Sequence, residues 1–309
     1  MIGALSGLLA YAQFTWRNCL ACDFTTFWRA GRHVLAGEDP YMHITPSGAY
    51  PWDAQYFYPL TAALVAAPFS LLPPKIAGAL FFGGSAALLA YAVSKDGWGR
   101  MPLFLSTSFM VAAAVGQWSP LITAVTLLSA TQVLALAKPT LGAAAFLYKP
   151  TWKAALAGGI FLLISLWVMP NWPMSWWLEL QDRQTSLQYK LPALTLFPLG
   201  LLLLAAGLRW RKPEGRLLLA LALIPQNMWF YDQLQLWLIP RSLKESWLLT
   251  ILSWLAYGVW RWHSAGTSLG DPAGRPDAFV LVFCYLPALA LLFKTDIIKI
   301  WTNRYKAIL

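Results

Sequence analysis

Charge is what this chain has least of. Only 12% of its 309 residues are charged, against about 25% in an ordinary soluble domain. The deficit runs along the whole length and is not confined to one anchor, so soluble-domain counting by length does not apply. Acids are the scarcer sign, 13 against 23 Lys and Arg. The histidines are His33, His43 and His263, and the sequence shows no His/Cys/carboxylate cluster with metal-ligand spacing. Cys19 and Cys22 form a C-x-x-C without a second pair or a nearby His, and with Cys284 they read as small buried apolar residues. There is no P-loop, no H-E-x-x-H, no G-x-S-x-G and no dinucleotide fingerprint. These absences disfavour a nucleotide-driven pump and a zinc hydrolase. No internal repeat points to an inverted-repeat transporter. The first apolar run has no basic region before it and no clear cleavage site, so it reads as a retained first span interrupted by Arg17.

What is present is apolar. Hydrophobic residues make up 58% of the chain. Apolar runs fall at about 2–22, 59–73, 76–94, 101–116, 119–137, 139–149, 152–169, 192–208, 217–230, 246–260 and 279–294. A full crossing takes about 20 residues, and several runs are shorter, so broken or re-entrant helices are expected. The expected fold is all-α: one integral-membrane domain over residues 1–309, a polytopic bundle of about 9–11 spans. The 18 Trp and 12 Tyr suit aromatic belts at the interfaces and also stacking platforms for sugar rings. Basic residues sit in short clusters between apolar runs: Arg209, Arg211, Lys212 and Arg216, then Lys294, Lys299, Arg304 and Lys306. That pattern marks cytoplasmic loops facing anionic lipid and gives no reason to invoke nucleic acid. It places residues 23–58 as a first extracytoplasmic loop carrying interfacial helices, residues 171–191 as a second, and Tyr231 and Asp232 on the same outer side. The side of Gln117 depends on residues 59–73. If they span, Gln117 lies inside; if they lie flat in the outer interface, it lies outside.

Residues that carry chemistry gather at the breaks. Asp23 follows directly on the first apolar run, a costly place for a carboxylate. It reads either as a helix cap or as a general base at the membrane surface. After it, Phe24, Phe27, Trp28, Val34 and Leu35 alternate with Arg29, Arg32 and His33, a spacing that fits an amphipathic interfacial helix. Arg29 and Arg32 are either snorkelling anchors or phosphate ligands. Gly37 should end this helix before a Pro40-Tyr41 turn. Asp53, beside Trp52, is a sugar-contact candidate or a plain loop residue. Gln117 and Lys138 stand at breaks in apolar runs, Lys138 either snorkelling or holding a phosphate. Asp232 is a second outer acid, a positioning partner for Asp23 or an unrelated loop residue.

These elements resemble, in order and spacing, the first outer loop of GT-C-type glycosyltransferases, specifically the polytopic family-87 group that uses polyprenyl-phosphate sugars. The family pattern runs Asp-Phe, an aromatic, an Ala, Leu-x-Gly, Pro-Tyr, Tyr-Pro-Pro, then Pro-Leu-x-x-Leu-Pro. Here stand Asp23-Phe24, Trp28, Ala30, Leu35-Ala36-Gly37, Pro40-Tyr41, Tyr58-Pro59 and Pro68-Phe69-Ser70-Leu71-Leu72-Pro73, with Leu60 in place of the second Pro. Gly116-Gln117 and Lys138-Pro139 resemble the family's Gly-Gln and Lys-Pro elements. The likeness covers about the first half of the chain. It implies an inverting transferase in a cytoplasmic membrane of bacterial type, acting at the extracytoplasmic face. A sugar, often mannose, would pass from a polyprenyl-phosphate donor to a hydroxyl on a lipid or glycan acceptor. Asp23 would be the catalytic base, and Arg29, Arg32 and Lys138 would hold the departing phosphate. Asp53, Gln117, Tyr231 and Asp232 would complete the substrate-binding set. No cofactor is required and no metal ligands are assigned, a divalent metal staying open as an addition. Two other readings share the same aromatics and basic sites: a lipid-linked-sugar flippase or transporter, and a non-catalytic envelope assembly subunit.

Overall fold

A computed structural model describes residues 1–45, 50–51, 54–95, 97–182, 192–226, 228–266 and 274–294. Among these residues there is no β-strand, and the all-α expectation holds. The helices are α1 (Ile2–Arg17), α2 (Phe24–Leu35), α3 (Pro40–His43), α4 (Leu60–Ala66), α5 (Pro74–Ser94), α6 (Thr107–Val115), α7 (Ser119–Leu127), α8 (Pro139–Tyr148), α9 (Trp152–Val168), α10 (Trp172–Asp182), α11 (Pro213–Leu223) and α12 (Leu243–His263). The last, α13 (Asp277–Lys294), contains a π turn over Leu281–Tyr285. Their starts follow the sequence. Pro139 and Pro213 stand where a helix needs no N–H, and Ser106, Thr151 and Ser242 accept from the free amides of Phe109, Ala154 and Glu245.

Several expected single helices are divided. Residues 119–137 become α7 and a 3-10 stretch, Ser129–Ala137; residues 192–208 become the 3-10 stretches Ala193–Thr195 and Leu199–Arg209. Residues 59–73 form only the 7-residue α4 and a 3-10 turn, Phe69–Leu71. Seven residues rise about 10 Å, far short of the roughly 30 Å hydrocarbon core, so this helix is too short to cross by itself. Among the described residues two helices are long and apolar enough to cross by themselves, α5 and α13. A third path exists if α9 and Trp172–Gln181, bent by 92° at a break that contains Pro170 with Pro173 just beyond it, are taken together. The outward surface suits lipid. On α9, Leu156, Ile160, Leu163 and Trp167 are exposed and only Ala154 and Ser165 are buried.

The core is built around α5. Helix α1 lies along it at backbone contact, because glycine faces glycine. A Cβ added to Gly83 would stand 2.8 Å from the Gly3 carbonyl oxygen, the close approach that small residues permit between apolar helices. Next to this pair, Phe24 stacks on Phe81 at 4.5 Å, Phe27 meets Trp118 at 4.9 Å, and Phe81 meets Trp118 at 4.7 Å. A segment that reads as a loop in sequence, Phe230–Leu238, threads the interior as a 3-10 stretch. Its glutamines bond to the helices around it: Gln233 accepts from the Tyr285 hydroxyl at 2.7 Å, and Gln235 donates to Thr126 at 3.0 Å. Arg216, read as a loop cation, donates to the carbonyls of Leu147 and Tyr148 at the end of α8.

Two expectations are corrected. Helix α2 does not lie in an interface with one wet face. All residues from Phe24 to Gly31 are buried in protein, and only its last turn emerges. The aromatic pairs above claim one side, and Gly31 sits against Ala67 and Ser70 on another. Cys19 and Cys22 are not separate apolar fillers but a disulfide. The loop between α1 and α2 brings them together through left-handed residues at Asn18, Leu20 and Cys22. The second expected outer loop, as far as its residues are described, docks on the first. Trp176 donates to the Phe57 carbonyl at 2.8 Å and Ser175 to Asp39 at 3.1 Å.

Candidate active site

Four sequence-selected residues meet in one cluster. Asp23 stands at the start of α2, its amide donating to the Val115 carbonyl at 3.0 Å, so the N-terminus of α2 is tied to the C-terminus of α6. Its carboxylate makes no cap to α2. It accepts instead from the Gln117 side-chain amide. Gly116 makes that meeting possible. Its φ is +72°, and a Cβ there would stand 3.0 Å from the Ala21 carbonyl oxygen. A glycine turns the chain out of α6 close enough for the next residue to reach Asp23.

Lys138 reaches the cluster from the junction between the Ser129–Ala137 stretch and α8. The following Pro139 keeps it out of the helical region, at φ −135° and ψ 80°. Its ammonium donates to Gln117 Oε1 at 3.3 Å and to Asp232 Oδ1 at 2.5 Å, and lies 5.6 Å from the centre of the Tyr231 ring. The order is Asp23, Gln117, Lys138, Asp232. Gln117, Lys138 and Asp232 are buried, whereas Asp23 is only partly so. Gln117 thus lies beside Asp23 in the bundle, and residues 59–73 hold no helix long enough to span by itself.

The charges divide unevenly. Lys138 offsets Asp232 directly and Asp23 only from beyond Gln117. Burial dominates at Asp23 and pushes its carboxyl up to about 6; the Gln117 bond and Lys138 pull it down, and the Asp232 charge adds to the rise. Such a carboxylate is mostly ionised at neutral pH yet more basic than an exposed one.

Asp23 also lines a groove of about 680 Å³ beside α1, α6 and α12. Its wall is rich in aromatic rings, among them Trp16, Tyr231 and Trp254, and its two guanidinium groups come from Arg17 and Arg261. Both arginines are exposed. The phosphate candidates chosen from sequence lie elsewhere. Arg29 is buried with its guanidinium 4.3 Å from the centre of the Tyr50 ring, Arg32 is exposed and packs on Trp28 at 5.0 Å, and neither lines the groove. Lys138 is in the cluster but already engaged by Asp232. Asp53 lies outside the described residues.

Sequence reading therefore missed Arg17 and Arg261 as site residues. Arg17 had one visible signal, a cation closing an apolar run. Arg261, in Trp260-Arg261-Trp262-His263, had none beyond its aromatic neighbours. Sequence spacing also missed a possible metal set: one ligand atom each of His33, Glu38 and His43 lie within 4.8 Å of one another. This group is separate from the Asp23 cluster. Comparison with family models, with curated proteins and with solved structures returns no match to this chain.

Proposed function

We propose that this chain is a GT-C-type membrane glycosyltransferase resembling family 87. It would move a sugar, mannose by the resemblance, from a polyprenyl-phosphate donor to a hydroxyl of a lipid or glycan acceptor at the extracytoplasmic face. The observation that carries the reading is the position of Asp23: a partly open carboxylate, oriented by Gln117, at the wall of an aromatic groove that also presents Arg17 and Arg261.

In the proposed reaction Asp23 takes the proton of the acceptor hydroxyl as its oxygen attacks the anomeric carbon. The bond from that carbon to the phosphate oxygen breaks, its electron pair leaves with the polyprenyl phosphate, and the anomeric centre inverts. Charge grows on the departing phosphate, and Arg17 and Arg261 replace Arg29 and Arg32 as the groups that would meet it. Gln117 and Lys138 act as positioning residues: Gln117 orients Asp23, while Lys138 holds Gln117 and offsets Asp232. The aromatic wall suits both a prenyl chain and a sugar face. The Cys19–Cys22 disulfide next to Asp23 supports the outer-face assignment, since such bonds persist in oxidising compartments. The bundle of nine to eleven spans belongs to this proposal as well.

The test is sugar transfer in proteoliposomes supplied with polyprenyl-phosphate mannose and a lipid acceptor. Transfer by the parent and its loss in Asp23→Asn is the expected result. Full transfer by Asp23→Asn would remove the base assignment, and movement of labelled donor across the bilayer without transfer would favour the flippase reading.

A further inference from the structure

We propose that His33, Glu38 and His43 form a binding site for one divalent transition-metal ion of the zinc class, clipping α2 to α3. The inference goes beyond the glycosyltransferase reading and does not rest on it. Three ordinary ligand types converge here, two imidazoles and a carboxylate, with one ligand atom from each inside 4.8 Å. Tetrahedral zinc takes such a set with metal–ligand distances of about 2.0–2.2 Å, leaving its fourth position to water. The donor atoms then stand roughly 3.3 Å apart, which side-chain rotation of the exposed Glu38 and His43 can reach.

The backbone brings the three residues together without a metal. Helix α2 ends in paired reverse bonds, Gly37 N–H to the Val34 carbonyl at 3.1 Å and Glu38 N–H to the His33 carbonyl at 2.8 Å. Gly37 supplies the positive φ of 74° that this ending requires. The Glu38 carboxylate is thereby folded back onto His33, Oε2 2.7 Å from Nδ1. Asp39 then caps α3, accepting from the Tyr41 amide at 2.9 Å, and the single turn returns His43 to the same place. The two imidazoles stack at 5.2 Å. Two adjacent imidazoles are a pair that a metal takes in their neutral form.

An independent feature is the orientation of His43. Its Nδ1 lies 2.8 Å from the Asp39 carbonyl. A carbonyl only accepts, so Nδ1 carries the hydrogen and Nε2 holds the free lone pair. Metal-bound histidines are commonly fixed in this way, the second nitrogen donating to a backbone carbonyl. At His33 the ion would take the place of the proton shared with Glu38, the neutral ring carrying its hydrogen on Nε2.

The experiment uses the full-length, untagged protein in lipid nanodiscs, stripped with chelator. It is titrated with zinc chloride by calorimetry and with cobalt chloride by visible absorption. The expected result is one ion per chain with a tetrahedral cobalt spectrum. His33→Ala and His43→Ala should abolish it, and Glu38→Gln should weaken it by about tenfold or more. His263→Ala, at the remaining histidine, should bind as the parent does. Metal-free variants should melt at the parent's temperature, which separates a lost ligand from a lost fold. No stoichiometric ion in the folded parent, or equal binding by the parent and both histidine variants, overturns the proposal and leaves a simple His33–Glu38 ion pair.

Discussion

Helix α2 carries charged groups at both ends, in opposite circumstances. At its N-terminus Asp23 joins Gln117, Lys138 and Asp232, a set that is buried apart from the Asp23 opening to the groove. At its C-terminus His33, Glu38 and His43 meet near the surface, where water can replace any partner that is lost. The first cluster is held from four separate chain segments, the second by one helix ending and the next turn. Buried charges have no alternative to one another, so their geometry is fixed and removal of one leaves another stranded. Exposed charges are screened and exchangeable, so they can await a ligand at little cost.

The largest expected effect lies at Asp23. If it is the base, Asp23→Asn lowers the transfer rate by about 10²–10⁴-fold, the usual worth of general base catalysis. The pH profile gives the sign. The ionised form is the base and burial raises the carboxyl to about 6, so the rate climbs with pH up to about 6 and then levels. Below that it falls about tenfold per pH unit. Stability runs the other way. The acid is favoured in the folded state, so its contribution is fully present below the unfolded value of 3.8 and is lost as pH rises through about 6. A flat rate profile between pH 4 and 7, at roughly constant fold, would break the contrast between the two ends of α2.

Lys138 comes next. Lys138→Met strands Asp232 in the interior and should destabilise by about 3–5 kcal/mol, the penalty for an unpaired buried charge. Adding Asp232→Leu should recover most of that loss, because a matched apolar pair needs no cation. Chemical unfolding of the single and double variants measures both. A double variant no more stable than Lys138→Met alone would show that the cluster is not held by charge pairing.

The disulfide ranks third and sharpens the comparison by acting on the buried end alone. Cys19 and Cys22 close a loop with a sequence separation of only 3. Chain-entropy reasoning gives about 2 kcal/mol for so short a loop. Cys19→Ser should lower stability by that amount and slow transfer, since the loop leads directly into Asp23. Zinc binding at the other end of α2 should be unchanged.

How far the sequence revealed this arrangement follows from the same physics. Asp23, Gln117, Lys138 and Asp232 stood out because an isolated polar residue in an apolar chain needs a partner. That singled them out one by one but did not join them, because 94 positions separate Asp23 from Gln117, another 94 separate Lys138 from Asp232, and the side of Gln117 hung on residues 59–73. Arg17 and Arg261 were harder to place. They lie at helix ends, where cations are common, and only the packing of α1 and α12 beside α6 sets them along one groove. The metal set was hidden differently. His33, Glu38 and His43 show no standard ligand spacing, because a helix ending and a capped turn bring them together. Helix type was legible from apolar runs, but not where the runs break: residues 59–73 hold enough apolar length for a re-entrant piece, and the tight fit of Gly31 against Ala67 and Ser70 is a tertiary fact. Amphipathic spacing misled at α2, because part of the side expected to be wet is covered as well: Arg29 is buried against the Tyr50 ring, and Gly31 sits against Ala67 and Ser70.

The smallest effect is expected at Glu38, and its smallness is informative. The carboxylate is exposed, and its pKa is lowered chiefly by the hydrogen bond from His33. An exposed ion pair is worth little and is screened by salt. Glu38→Gln should therefore leave the melting temperature of the metal-free protein within scatter, at low and high ionic strength alike. The Schellman-type ending of α2 is built from backbone groups and survives the substitution. Zinc should change the outcome: the parent gains thermal stability on binding, because an ion that binds only the folded state shifts the unfolding equilibrium by mass action. Glu38→Gln should gain less at the same zinc concentration. If Glu38→Gln alone lowers the metal-free melting temperature as far as Lys138→Met does, the C-terminal cluster is a structural ion pair like the N-terminal one, and the two ends of α2 are not opposites.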